Sequence, residues 1–288
     1  MSTTKLILLW VITVVITLSA MLYQRATGPT KPKAVDVELD GQHYDFKLLR
    51  TMEIGSPCNV DLQIEDKDVV ATMEYRLYRT NNPWQKVEMK RVTSKKRAFF
   101  GEGEEIEVCR YMLPEQAAAG KIEYKINLSK GTKTVSLTPD APVVVRWKGF
   151  VPRYILIPHV IAMILSLFFA TRAGVEAIAG GPKSFNYARI TVVTLAIGGL
   201  ILGPIVQKYA FGDYWTGWPF GGDWTDNKTI VSWAFWLIAM IVLRKKPENK
   251  LWPTIAMLVL FSIYLIPHSM GGSELNNETG KVETGLKK

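Results

Sequence analysis

Charged residues are dense from Lys31 to Lys148 and absent from Leu6 to Tyr23, Tyr154 to Ala170, Ile190 to Val206, Thr229 to Leu243 and Leu251 to Ile266. Each apolar run is about 15 to 19 residues, close to the roughly 20 needed to cross a hydrocarbon core of about 30 Å. The two shortest can span with local thinning or with flanking residues completing the helix. The intervening region reads differently. Short alternating stretches, Ala34–Leu39, Tyr44–Leu49, Asn59–Ile64, Ala71–Tyr78, Gln85–Met89, Arg97–Phe100, Lys121–Leu128, Lys133–Leu137 and Val143–Arg146, are each bounded by Gly, Pro, Asn or Asp. That spacing predicts an antiparallel sandwich.

The pattern predicts a membrane α-helical bundle of five transmembrane helices plus an exported antiparallel β-sandwich. Residues 1–24 form an N-terminal transmembrane anchor, for which a cleaved signal is the alternative reading. Residues 25–33 are a linker stiffened by Pro29 and Pro32. The sandwich follows at 34–149 and a four-helix transmembrane part at 150–270, with a Trp-rich outer loop at 207–228. A polar tail occupies 271–288.

Charge then orients the chain. A net charge of +9 raises a nucleic-acid partner, but acids and bases nearly balance in the exported segment and no basic stripe stands out. The excess is topological. Arg172, Lys183 and Arg189 flank one short loop, and Arg244, Lys245, Lys246 and Lys250 fill another; the positive-inside rule places both in the cytoplasm. The sandwich, the Trp-rich loop and the tail then lie outside a bacterial inner membrane. The only cysteines, Cys58 and Cys109, fall in the exported domain, where an even pair reads as a disulfide.

Candidate chemistry is concentrated in two histidines and one loop. His159 and His268 share the tripeptide Ile-Pro-His. Counting 1.5 Å per residue puts His159 roughly 9 Å below the outer boundary and His268 about 26 Å along a span rising from the inside. Both imidazoles belong to the outer third of the membrane. Intramembrane histidines read by default as parts of a site, and two on different helices suit axial ligation of one haem iron. The alternative is a His159 bonded to a neighbouring carbonyl and a His268 among the headgroups. Gly198-Gly199 and Gly203-Pro204 in the third span read as close-packing or bend positions. The outer loop carries Trp215, Trp218 and Trp224 among glycines and the acids Asp213, Asp223 and Asp226, with Asp226 or Asn227 as the cap of the next helix. Interfacial aromatic belts account for part of this richness; a flat aromatic platform is the functional reading. A copper site at His268-Ser269-Met270 is weaker, for want of a second soft ligand.

The stretch from Phe211 to Asp226, followed by Trp233 and Trp236 and flanked by His159 and His268, resembles the tryptophan-rich haem-handling membrane proteins of cytochrome c maturation. The likeness spans about a quarter of the chain, without that family's compact Trp-Gly-x-x-Trp-x-Trp-Asp order. It implies that Trp215, Trp218, Trp224 and Asp226 hold a haem b while His159 and His268 reach the iron, with Arg153 or Lys208 pairing a propionate. The whole-chain arrangement also resembles bacterial membrane proteins that carry an exported immunoglobulin-like domain.

Two functions follow from the sequence. One is a di-histidine b-type electron-transfer or haem-handling subunit at the outer face. The other is a non-enzymatic assembly or anchoring subunit of a larger complex, whose sandwich binds a membrane or periplasmic protein partner. Transport ranks last, because the apolar runs contain no acid and no inverted repeat.

Overall fold

The computed structural model describes residues 2–95, 104–266 and 271–285. The chain divides into two compact units, one made of Pro29–Gly149 with Glu274–Val282 and the other of the remainder.

In the first unit, eleven strands run β1 Lys33–Leu39, β2 Gln42–Leu48, β3 Thr51–Glu53, β4 Cys58–Gln63, β5 Val70–Leu77, β6 Gln85–Glu88, β7 Lys90–Lys95, β8 Glu105–Leu113, β9 Lys121–Lys130, β10 Lys133–Ser136 and β11 Val143–Lys148. One sheet is ordered β3-β11-β9-β5-β6 with β10 added on β9; a second is β4-β8-β7; β1 and β2 form a hairpin. All pairings are antiparallel except β3 with β11. The β1–β2 connection is Asp40-Gly41 with φ of 55° and 79°, the pair of positive φ values that matches the twist of a two-residue hairpin. Alternation sets the core. Ile122, Tyr124, Ile126 and Leu128 of β9 meet Met73 of β5, Val145 and Trp147 of β11 and Leu62 of β4 in one apolar cluster.

Three strands, β3, β7 and β8, fall outside the expected set. β3 is only three residues long, and β7 carries Lys90, Arg91, Ser94 and Lys95 with no buried position. β8 buries Val108 and Cys109 side by side, which breaks the period of two, yet it is the central strand of its sheet. The expected strand at Arg97–Phe100 lies outside the described residues.

The expected Cys58–Cys109 disulfide is corrected by this register. Cys58 pairs with Leu113, and Cys109 pairs with Leu62. The two thiols are four residues apart along one ladder, about 13 Å at 3.3 Å per residue, whereas a disulfide needs Cα atoms within about 7 Å. Both cysteines are free and buried. The polar tail is corrected in part as well. Glu274–Leu275 (β12) pairs with Val282–Glu283 (β13), and the Leu275 amide donates to the Ala119 carbonyl at 3.1 Å. Glu274 is buried and takes Lys121 Nζ at 2.5 Å and Arg79 Nη1 at 3.6 Å.

The second unit is helical: α1 Thr3–Thr27, α2 Arg153–Ile178, α3 Ser184–Leu195, a π-helical segment Ala196–Leu202, α4 Gly203–Phe211, α5 Trp224–Lys245 and α6 Leu251–Leu265. The stretch Ser184–Phe211 is one 28-residue rod, and it, α1, α2 and α5 are long and apolar enough to cross a membrane. The expected fifth span, α6, has 15 residues and is shorter. Helices consecutive in the chain alternate in direction, with Ser184–Phe211 counted as one. Lys5 Nζ donates to the Ala179 carbonyl at the end of α2, and Lys250 Nζ reaches Ile178 there too. At the opposite end Tyr23 and Gln24 donate to the Leu265 and Tyr264 carbonyls.

The bundle core mixes small and large residues: Ala170, Ala173, Ala188, Ala239 and Ala256 share one cluster with Leu167, Leu195, Leu243, Leu260 and the fully buried Trp236. A Cβ on Gly174 would stand 2.4 Å from Met257 Sδ, so glycine sets the α2–α6 approach. Many further large apolar side chains face outward: Leu8, Val15, Leu22, Ile157, Ile161, Ile201, Ile241 and Leu258 are exposed.

Candidate functional site

The third rod reaches its neighbours through glycines. Beta carbons on Gly198 and Gly199 would lie 2.9 Å from Ala162 and 2.4 Å from Thr229, so the expected close-packing role holds. The π-helical register also turns the Gly198 carbonyl toward α2. It accepts from the Gly203 amide and lies 2.8 Å from His159 Nδ1. An imidazole bonded this way carries its proton on Nδ1 and presents Nε2 as a bare lone pair. His159 Cε1 would be 3.9 Å from a Cβ at Gly203, so the ring rests on the glycine face of the rod. This is the neighbouring-carbonyl bond raised as the alternative, and it is also how a protein orients a histidine for a ligand on its other nitrogen. His268 lies outside the described residues.

Gln207 lies one turn beyond Gly203 on the same helical face and opens a buried polar knot. Helix α4 runs to Phe211 and α5 starts at Trp224, so the Trp-rich loop is 212–223, narrower than the expected 207–228. The cap of α5 is Asp223, whose carboxylate accepts from the Thr225 amide at 2.7 Å, rather than Asp226 or Asn227. Asp226, in the first turn, reaches back and accepts from the Thr216 and Gly217 amides at 2.7 and 2.9 Å. Oriented with its nitrogen toward Asp226, the Gln207 amide donates to Oδ1 at 2.7 Å while its oxygen accepts from the Thr216 hydroxyl at 2.5 Å. Asn227 Oδ1 accepts from the Trp218 amide at 2.7 Å. A Cβ at Gly217 would sit 2.6 Å from that of Asp226.

The predicted site residues therefore divide by role. Asp226 is buried, with Oδ2 spent on two loop amides and Oδ1 on Gln207, so it folds the loop. Trp215 Nε1 donates to the Trp218 carbonyl at 3.0 Å. Trp218 and Phe220 project outward, 71 % and 83 % exposed, and Trp224 packs on Gly271. Lys208 Nζ donates to the Gly212 carbonyl and lies 5.3 Å over the Tyr214 ring, closing its own helix end. Arg153 is exposed at the start of α2. The tail adds a clasp: the Thr284 hydroxyl donates to the Thr216 carbonyl at 3.3 Å and accepts from the Gly222 amide at 3.0 Å.

Sequence reasoning missed a second constellation. Arg172, expected to flank a loop, and Glu176 lie inside α2, which continues to Ile178. Both side chains are 0 % exposed, with Nη1 and Oε2 2.6 Å apart. Trp10 covers the Arg172 guanidinium at 4.7 Å and Tyr187 at 4.9 Å. Glu176 Oε1 accepts from the Lys183 amide at 3.3 Å. The available signal was the i, i+4 spacing of Arg172 and Glu176 among Ala and Gly just past an apolar run. No group of three or more metal-ligating acids, histidines or cysteines occurs among the described residues.

Comparison with protein-family models, with curated proteins and with solved structures finds no match to this chain.

Proposed function

We propose that the chain is a membrane-embedded, non-enzymatic anchoring and assembly subunit that presents a β-sandwich and an aromatic loop to a protein partner on the outer side of a bacterial inner membrane. The observation that carries this reading is the apolar outer surface of the helical unit, where leucines, isoleucines and valines stand exposed along helices long enough to cross a membrane. Lipid is the solvent that suits such a surface. A loop made rigid by buried acids while Trp218 and Phe220 stand free suits a docking contact or an interfacial anchor. The partner is a membrane or periplasmic protein, and nothing in the charge pattern favours nucleic acid.

A haem-binding subunit is the second reading, and His159 favours it. With Nδ1 committed to Gly198, Nε2 is the nitrogen that would hold the iron of a haem b, and haem would supply one-electron chemistry. His268 is the other nitrogen donor the sequence offers for the iron.

Purification from gently solubilised membranes separates the two readings. A colourless protein recovered in fixed ratio with one partner, and losing it on Trp218→Ala and Phe220→Ala, supports anchoring. A Soret band abolished by His159→Ala replaces it with the haem reading.

A further inference from the structure

The Arg172 and Glu176 charges have little use for folding, since an apolar pair of similar volume costs less to bury. Among the described residues, Arg172 Nε, Nη1 and Nη2 make no aligned hydrogen bond, and neither does Glu176 Oε2. The 2.6 Å contact between Nη1 and Oε2 is thus an ion pair off the N–H axis. Buried guanidinium nitrogens without partners call for an explanation, and an ionisable pair inside an apolar helix calls for a site.

Geometry narrows the ligand. Trp10 and Tyr187 cover the guanidinium, so a ligand meets it at its edge, where Nε and Nη2 form the fork that matches two oxygens of a phosphate or carboxylate. Tyr187 belongs to the first turn of α3, and Glu176 binds the Lys183 amide at that helix's start, where the dipole favours negative charge. Arg172 is six residues from the end of α2, about 9 Å, and that end is held by the ammonium groups of Lys5 and Lys250.

We propose that Arg172 is an oxyanion-binding site for a phosphate group, with Glu176 as the internal carboxylate that occupies it when no ligand is present. Glu176 holds Nη1 and the ligand takes the Nε–Nη2 edge, so the two compete for one positive charge rather than for one edge. The site is independent of the anchoring reading and would stand if that reading failed.

The test uses the full chain in a neutral detergent, titrated with inorganic phosphate against chloride at matched ionic strength and followed by thermal unfolding. A parallel arm places it in nanodiscs of phosphatidylcholine with and without phosphatidylglycerol and scores retained lipid by native mass spectrometry. Glu176→Gln removes the competitor and should tighten binding by roughly tenfold, within the usual range of coupling between two sites. Arg172→Lys keeps the charge, loses the fork and should weaken it. Saturable stabilisation by free phosphate with this variant pattern supports a soluble ligand; the same pattern only with phosphatidylglycerol supports a lipid headgroup. Absence of binding in both arms overturns the proposal. So does binding indifferent to Glu176→Gln, or binding lost only in a Lys5→Ala/Lys250→Ala control. Should Arg172→Lys fail to fold, the Glu176→Gln comparison still decides.

Discussion

Asp226 shows how one side chain can be misread from its neighbours. Among tryptophans and glycines it looks like a ligand hook, yet its oxygens accept two loop amides. Replacing it with alanine strands those buried N–H groups, and a lost bond to a charged acceptor costs about 1.5–3 kcal/mol. Asp226→Ala should therefore unfold at lower temperature and speed hydrogen exchange at Thr216 and Gly217, while Asp213→Ala, in an exposed position, should do neither. The cysteines make the complementary case. Burial pushes the Cys58 thiol up to about 11 and raises Cys109 too, so at pH 8 Cys58 holds almost no thiolate and Cys109 less than an exposed thiol would. Maleimide should label neither cysteine at that pH until denaturant is added. For Cys58 the native rate should rise only as the pH nears 11, and oxidant should leave the mobility on a non-reducing gel unchanged.

At the scale of elements, period and length decided what was legible. β5 and β11 alternate cleanly, and β9 does so from Tyr124 onward, because one face meets the core and the other does not. β8 was invisible because two consecutive residues are buried, and β7 because it presents charges along a sheet edge. The helices were found by hydropathy, but α2 was cut short at Ala170 because Arg172 and Glu176 look like a loop when their partners, Trp10 and the Lys183 amide, are not in view. Small residues fix the spacing of these helices. Gly174→Ala should push α2 from α6, because Met257 Cβ as well as Sδ stands in the way, at a cost of roughly 1–3 kcal/mol. Thermal unfolding of the solubilised protein would measure it, and adding Met257→Ala should restore much of the loss.

For the whole molecule, helix direction is the property with consequences. Lys5, Ala179 and Lys250 meet at one end of the bundle, while Gln24, Tyr264 and the connections through Thr27 and Arg153 lie at the other. Single cysteines placed at Lys246 and at Gly212 should therefore label from opposite sides of intact vesicles. The two buried native thiols leave a low background. Labelling of both positions from one side would exclude the membrane-spanning arrangement.

Hydrophobic period alone was enough to separate an α-helical unit from a β unit and to mark the glycine approach in the third rod, because burial on one face repeats every two or 3.6 residues wherever it occurs. It could not pair the strands, and so could not show that Cys58 and Cys109 face different partners. Nor could it say that Asp226 would be consumed by a loop, or that Arg172 would find aromatic rings from α1 and α3. Those outcomes depend on which distant groups arrive beside a polar atom. A buried charge or thiol takes its character from its neighbours in space, which only the tertiary structure supplies.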